Sequence, residues 1–338
     1  MKTKPLYQIV FLLFCQLLVG QNKIDIKANF NIAEKTIMVN QLISYTNTSK
    51  DTLNEIYLND WNNSFSTKNT PLANRFTEEF STNFHFAKNE ERGYTVITSI
   101  KDDSNSTLSF DRVQNQIDVV TVSLNKALLP GETYNITLTY KIHLPSDKFT
   151  RYGISPLNEL KLKYWYITPA VYDGQWNFYS NKDLDDLYIP KADITLEAEF
   201  PRNYLLNTEL DLVSTQQNEN TQTVILTGKN RVDSKLFLTY LPSFKTVQTD
   251  NFSIISDQTS KDLLPAEKAI ITDQITGFIT RHLGDYPHEK LMVTQIDAKK
   301  DPVYGLSQLP EFIRPFPKNF QFELQLLKNT LSNYLDNT

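Results

Sequence analysis

Apolar and polar residues alternate with a period of two across much of residues 35–230, and no other feature constrains the fold as strongly. "KTIMVNQLISYTN" (35–47), "DTLNEIYLND" (51–60), "QIDVVTVSLN" (116–125), "TYNITLTYKIHL" (133–144), "KADITLEAEF" (191–200) and "TQTVILTGKN" (221–230) each carry it. Successive strand side chains point to opposite faces, so each stretch can bury one row and wet the other. The turn signals "LLPGET" (128–133), "PRNY" (201–204) and "TGKN" (227–230) separate these runs. "KNTPLANRFTEEFSTNFHFAKNEERGY" (68–94) interrupts them as an excursion with room for a short helix. The pattern predicts a mainly β fold, a large antiparallel sheet assembly.

Composition agrees. The 338 residues suggest about two domains. With 17 Tyr and 20 Phe against 9 Gly, the chain can build an ordered, strand-rich core. The net charge of −5, with no cluster of Lys and Arg, argues against a nucleic-acid partner.

The texture changes near residue 250. "NFSIISDQ" reads as a last strand, after which residues 265–283 place Ala269, Ile270, Ile275, Phe278, Ile279 and Leu283 near helical spacing, with Gly284 as the stop. "KLMVTQID" (290–297) again reads as a strand. A second helix follows from Phe320, with Phe322, Leu324, Leu327, Leu331 and Leu335 as its apolar positions. The expected division is a β domain over 21–250 and the opening of an α/β domain over 251–338, incomplete at under 90 residues.

At the start, Lys2 and Lys4 precede "IVFLLFCQLLVG", an apolar run too short to span a bilayer comfortably. This is the layout of a secretory signal peptide over residues 1–20, cleaved after Gly20. Export to the periplasm, cell surface or extracellular space is expected, with no membrane span left after processing. Cys15 is the only cysteine, so a processed chain has neither disulfides nor thiolate ligands.

Several stretches, in this order, resemble the aminopeptidase N-like zinc metallopeptidases, peptidase family M1. "HLGDYPHEKLMVTQID" is similar to that family's G-x-Y-P-x-x-K-L entry to the catalytic domain. "LLPGETYNITLTYKI" resembles its L-x-x-G-x-x-Y strand pair, and "YWYITPAVYDGQW" its W-Y-P-Q-M-A-V-Y-D stretch. The resemblance spans most of residues 35–338. It implies a saddle-shaped β domain followed by the start of a thermolysin-like catalytic domain, and in active members a catalytic zinc.

At the site positions the sequence departs from the family. Where the family has G-x-M-E-N, whose glutamate grips the substrate amine, this chain has Tyr304 followed by Gly305, Leu306, Ser307 and Gln308. The β-domain Gln or Glu aligns with Thr168. These six residues are the substrate-groove candidates that the resemblance implies. The zinc helix H-E-x-x-H-Q-W-F-G-N overlays residues 328–337, which puts Lys328, Asn329 and Ser332 at the motif positions, with Asn333 standing for Gln, Tyr334 for Trp, Leu335 for Phe and Asn337 for Asn in its tail. A lysine cation repels Zn²⁺, an asparagine cannot serve as general base, and serine is a poor zinc ligand. The four histidines, His85, His143, His282 and His288, form no pair at ligand spacing. "His288-Glu289" has Met292 where a second histidine would stand, so it is not half of a zinc motif. No catalytic residue and no metal ligand is assigned to this chain, and no cofactor is expected in it.

Three functions stay open from sequence alone. One is the N-terminal portion of an active metallopeptidase whose zinc motif lies beyond Thr338. Another is a pseudopeptidase that binds a peptide or protein ligand. A third is a β-rich structural module. Oligomeric state is not legible. "DLDDLY" (183–188) lacks the glycine and distal glutamate of a calcium loop and reads as a solvated turn. "PEFIRPFP" (310–317) reads as a loop feeding the last helix. The aromatic set Tyr164, Trp165, Tyr166, Tyr172, Trp176, Phe178 and Tyr179 suits the interface between the two domains better than a peptide groove.

Overall fold

The computed structural model describes residues 22–182, 188–260, 263–300 and 319–338. The signal-like stretch 1–20, residues 183–187 of the "DLDDLY" turn, the groove candidates Tyr304–Gln308 and the "PEFIRPFP" loop lie outside the described residues. In chain order the strands begin with β1 (Asn22–Asn31), β2 (Thr36–Thr46) and β3 (Leu53–Asn59). The helix α1 (Pro71–Glu78) follows, then β4 (Tyr94–Lys101), β5 (Phe110–Val113), β6 (Gln116–Leu128) and β7 (Thr133–His143). Five short strands come next: β8 (Gly153–Ile154), β9 (Leu160–Leu162), β10 (Thr168–Pro169), β11 (Val171–Tyr172) and β12 (Trp176–Asn177). The β-rich part continues through β13 (Ala192–Pro201), β14 (Leu205–Thr208), β15 (Asp211–Gln217), β16 (Thr221–Arg231) and β17 (Leu236–Thr239). The last part holds β18 (Lys245–Val247), β19 (Ser253–Ser256), α2 (Pro265–Leu283), β20 (Lys290–Val293), α3 (Gln295–Lys300) and α4 (Phe320–Asn337).

The backbone of the fold is a seven-stranded sheet in the order β15-β16-β13-β1-β2-β7-β4. Every pairing in it is antiparallel except β1 with β13, which run parallel. Alternation sets which face is buried: in β1, Ile24, Ile26, Ala28 and Phe30 point inward and the residues between them outward. That face packs against two four-stranded sheets, β10-β3-β6-β5 and β14-β17-β9-β8. Ile56, Leu58, Val120 and Val122 from one, and Leu160, Leu162, Leu236 and Leu238 from the other, join the same core. The chain is thus mainly β, built from antiparallel sheets, and then turns α/β.

In the α/β part, β18-β19-β20 form a three-stranded sheet with β19 and β20 parallel. Helices α2 and α4 cover it through Ile271, Ile275, Ile279, Leu326 and Tyr334, against Phe252, Ile254, Leu291 and Val293.

Three local expectations are corrected. "TGKN" is not a turn: it lies within β16, where Gly228 sits against Leu210 and Arg231. A Cβ there would stand 2.5 Å from Leu210 Cδ2, so this glycine serves a close approach. "KLMVTQID" is a strand for only half its length. Thr294 and Asp297 then form a capping box, with Asp297 N–H donating to Thr294 Oγ1 and Thr294 N–H to Asp297 Oδ2, and the chain turns into α3. Both long helices form where expected, and Ile275, Ile279, Phe322, Leu327 and Leu331 face the core as expected, but the buried face is only in part the expected one. Ile270, Phe278, Leu283 and Leu335 are exposed, while Thr272, Thr276, Asn329, Asn333 and Asn337 are buried.

Candidate functional site

The described site positions lie in two places: Lys328, Asn329 and Ser332 on α4, and Thr168 in the segment "YWYITPA". It runs beneath the main sheet and is pinned at several points. Gln41 Nε2 donates to the Ile167 carbonyl (2.6 Å), and the Tyr140 hydroxyl donates to Gln41 Oε1 (2.5 Å). Tyr164 N–H donates to Asp233 Oδ2 (3.1 Å), and Ala170 N–H to the Tyr57 carbonyl (2.8 Å). These are buried polar groups given partners, the condition for burying them at all. Thr168 lies in this segment opposite Asn59 and is 2% exposed. It packs with β3 and β2, whereas α4 packs with β20, α2 and α3.

The aromatic set divides. Tyr164 belongs to the joint, where it meets Trp61 edge-on at 5.3 Å in a cluster with Phe237, Ile255, Met292 and Ile296. Trp165 and Tyr166 are in the β core instead. Phe178 stacks on Tyr57 at 4.5 Å, and Tyr179 is exposed.

Around that apolar cluster lies a seam of buried charge. Lys235, 3% exposed, sends its ammonium to the Met292 carbonyl (3.3 Å) and to Asn333 Oδ1, with Asp297 Oδ2 at 4.0 Å. Glu209 Oε2 accepts from Met292 N–H (3.2 Å). Both backbone polar groups of Met292 are therefore satisfied by side chains of the β part, which completes that side of β20. Lys290 crosses the other way, to the Leu210 carbonyl (3.2 Å) and Asp211 (2.9 Å). Burial raises the Asp233 carboxyl to about 6 despite two backbone N–H donors and nearby Lys163. Burial, then the charges of Arg231 and Lys191, lower His288 to about 4.

The positions that the expected register would give to a zinc motif lie in two neighbouring rows of α4. Asn329 is buried and its Oδ1 accepts from Gln325 Nε2 (3.0 Å). Asn333 Nδ2 donates to the Asn329 carbonyl, and Asn337 Nδ2 to the Asn333 carbonyl, each at 2.7 Å. Lys328 is half-buried and Ser332 exposed. The residues at this register do not fit a zinc ion: one is a cation, one an amide already bonded within the helix, one a solvent-facing hydroxyl. Among the described residues no three His, Cys, Asp or Glu side chains come together to hold a metal. No described helix is long and apolar enough to cross a membrane.

Sequence reasoning did not single out Lys235, Glu209 or Arg231. The signal available was a set of charged residues near strands otherwise apolar on one face, but nothing local marks which charges will be buried.

No protein-family model matches the sequence, and no curated protein matches it. Among solved structures the chain is similar to an M1 zinc metallopeptidase from Deinococcus radiodurans. A point mutant of that protein aligns at 13% identity with a TM-score of 0.48, and the unmutated protein at 14% and 0.46. The same mutant bound to a Tyr-Ser-Ala substrate aligns at 13% and 0.46. Each alignment covers 81% of this chain and 56% of the other, so the chain spans little more than half the length of those proteins.

Proposed function

We propose that this chain is an exported, aminopeptidase N-like protein in which the helix at the zinc-motif register is a docking element, and that the chain hydrolyses no peptide by itself. Support comes from the ordered family-like stretches in the sequence and, above all, from how α4 uses its buried face. Asn329 bonds within the helix, and Asn333 holds the Lys235 ammonium and lies 3.4 Å from Asp297. Catalytic zinc needs three protein ligands around an open position, and Lys328, Asn329 and Ser332 offer none of the usual ones. A remaining role for the joint is to hold a peptide or protein ligand without cleaving it. Metal analysis after dialysis, run beside a leucine p-nitroanilide assay, tests the reading. Substoichiometric zinc and no chelator-sensitive hydrolysis are expected. Stoichiometric zinc with hydrolysis that a chelator abolishes would refute it.

A further inference from the structure

Asn-x-Ser/Thr, the acceptor pattern for N-linked glycans, occurs at Asn47, Asn62, Asn105, Asn135 and Asn251. A chain this rich in Asn, Ser and Thr generates the pattern by chance, so the sequence alone selects none of them. The fold does select. We propose that Asn105 is an N-glycan acceptor, which places a carbohydrate on the turn between β4 and β5. The inference rests on the export part of the proposed function, because the lipid-linked sugar donor is presented on the far side of a membrane.

A folded acceptor must offer an amide nitrogen that nothing else holds, a hydroxyl two residues on, and room for an enzyme groove around both. Asn47 is buried, and its Nδ2 donates to the carbonyls of Asp51 (2.7 Å) and Leu128 (3.1 Å). Asn62 is also buried, with Nδ2 donating to Thr95 Oγ1 (3.3 Å) and the His143 carbonyl (3.2 Å). Asn135 lies within β7, paired with Ser44 of β2, and gives its Nδ2 to Asp103 Oδ2 (3.2 Å). Asn251 is exposed, but its hydroxyl residue Ser253 is buried in β19 and donates to Gln248 Oε1 (2.5 Å). Each of these sequons fails on at least one requirement.

Asn105 meets all of them. Residues 103–107 are exposed throughout. Asn105 Oδ1 accepts from Lys101 Nζ at the surface (2.9 Å), and among the described residues nothing engages Nδ2 or the Thr107 hydroxyl. The turn that presents them is built. Asp102 Oδ1 accepts from Ser104 N–H (2.9 Å), Ser104 Oγ (2.7 Å) and Ser106 N–H (3.0 Å). Asn105 is held at φ +62°, a left-handed conformation that asparagine tolerates. β4 is the edge strand of its sheet, so no further strand crowds the turn from that side. Asp103, two residues before Asn105, adds an exposed carboxylate for a cationic enzyme groove.

The donor is an oligosaccharide joined through its anomeric carbon to a polyprenyl pyrophosphate. Asn105 Nδ2 attacks that carbon, a C1–N bond forms as the C1–O bond breaks, and the lipid pyrophosphate leaves with the electron pair. One proton passes from Nδ2 to a base of the transferase. The product extends into solvent, as a bulky surface modification must.

The test is co-expression of the full chain with a bacterial oligosaccharyltransferase and its lipid-linked donor, in cells where a control acceptor protein is modified. The chain is made once behind its own residues 1–20 and once behind a reference export signal. Intact mass should show one added glycan, absent from Asn105→Asp and from Thr107→Ala and retained in Asn251→Asp. Both turn substitutions are at exposed positions, so an unchanged thermal melt separates loss of the acceptor from loss of the fold. A glycan seen only behind the reference signal supports the site and removes the export reading. Unmodified chain recovered from the export compartment behind the reference signal overturns the proposal. So does a glycan that survives Asn105→Asp.

Discussion

Replacing Asp118 with Asn should make the protein more stable at neutral pH and leave it little changed in acid. Asp118 is fully buried in the β part and accepts from Ser180 Oγ and Asn181 N–H; among the described residues no ion pair engages it. Burial, with a smaller contribution from the charge of Asp60, raises its carboxyl from 3.8 to about 6, against the opposing effect of the two hydrogen bonds. At 1.36 kcal/mol for each tenfold change in proton affinity, keeping Asp118 ionised in the fold costs about 3 kcal/mol. The folded pKa is the higher one, so this group's contribution is fully present below about pH 4 and is lost as pH rises through about 6. Asparagine is neutral throughout. It can accept from Asn181 N–H with its oxygen and donate to a rotated Ser180 hydroxyl with its nitrogen. Loss of two charge-assisted bonds offsets part of the gain, leaving Asp118→Asn more stable than the parent by about 1–2 kcal/mol above pH 7. Urea denaturation at matched ionic strength across about pH 4–7.5 reads this as a midpoint difference that grows with pH. The difference between the two proteins is the quantity to follow. Asp233, also raised to about 6, pulls the parent's stability the same way, while His288, lowered to about 4, pulls it the other. A difference that stays flat across the range would refute the reasoning, because Asp118 would then be paying no desolvation cost.

Lys235→Met keeps the apolar stem but leaves the Met292 carbonyl and Asn333 Oδ1 without their donor; it should cost about 3 kcal/mol in urea unfolding, and an unchanged midpoint would show that the ammonium does not hold the joint. Gly228→Ala puts a methyl 2.5 Å from Leu210 Cδ2 and 2.9 Å from Arg231 Cγ; a loss of about 1–3 kcal/mol is expected, and an unshifted thermal melt would mean that the neighbours yield freely. His288→Phe removes a base whose folded pKa is lowered, so its contribution, present above about pH 6.5, is lost as pH falls through about 4; the variant should lose less stability than the parent over that interval, as read by denaturation at each end of it.

Period-two alternation marked the strands well where one face is wet. Six alternating stretches became β2, β3, β6, β7, β13 and β16. β1 alternates as cleanly, with Ile24, Ile26, Ala28 and Phe30 inward, although it directly follows a signal-like segment. The parallel β1–β13 pairing depends on that strand. Helix positions are legible in α2 and α4, their faces only in part. Leucine spacing points to the side that carries most apolar surface, whereas these helices also turn threonine and asparagine inward, where hydrogen bonds make polar burial tolerable. A pattern count weighs residue type alone and cannot see a partner that arrives from a loop 98 residues earlier, as Lys235 does for Asn333.

The geometry of α4 separates the positions that packing constrains from those it leaves partly exposed. An α-helix turns about 100° per residue, so residues four apart lie about 40° from one another around the axis. Asn329, Asn333 and Asn337 therefore form one row, and Lys328 and Ser332 a neighbouring one. The first row does the packing: it bonds along the helix through its amides and takes the Lys235 ammonium at Asn333. Tyr334, beside that row, closes the helix onto the preceding turn by donating to the Gly284 carbonyl (3.0 Å) and joins the apolar core. The second row contributes less to burial, with Lys328 half-buried and Ser332 exposed. Asn329, Asn333, Tyr334 and Asn337 are thus constrained by what they touch, whereas Ser332 and Leu335 face solvent.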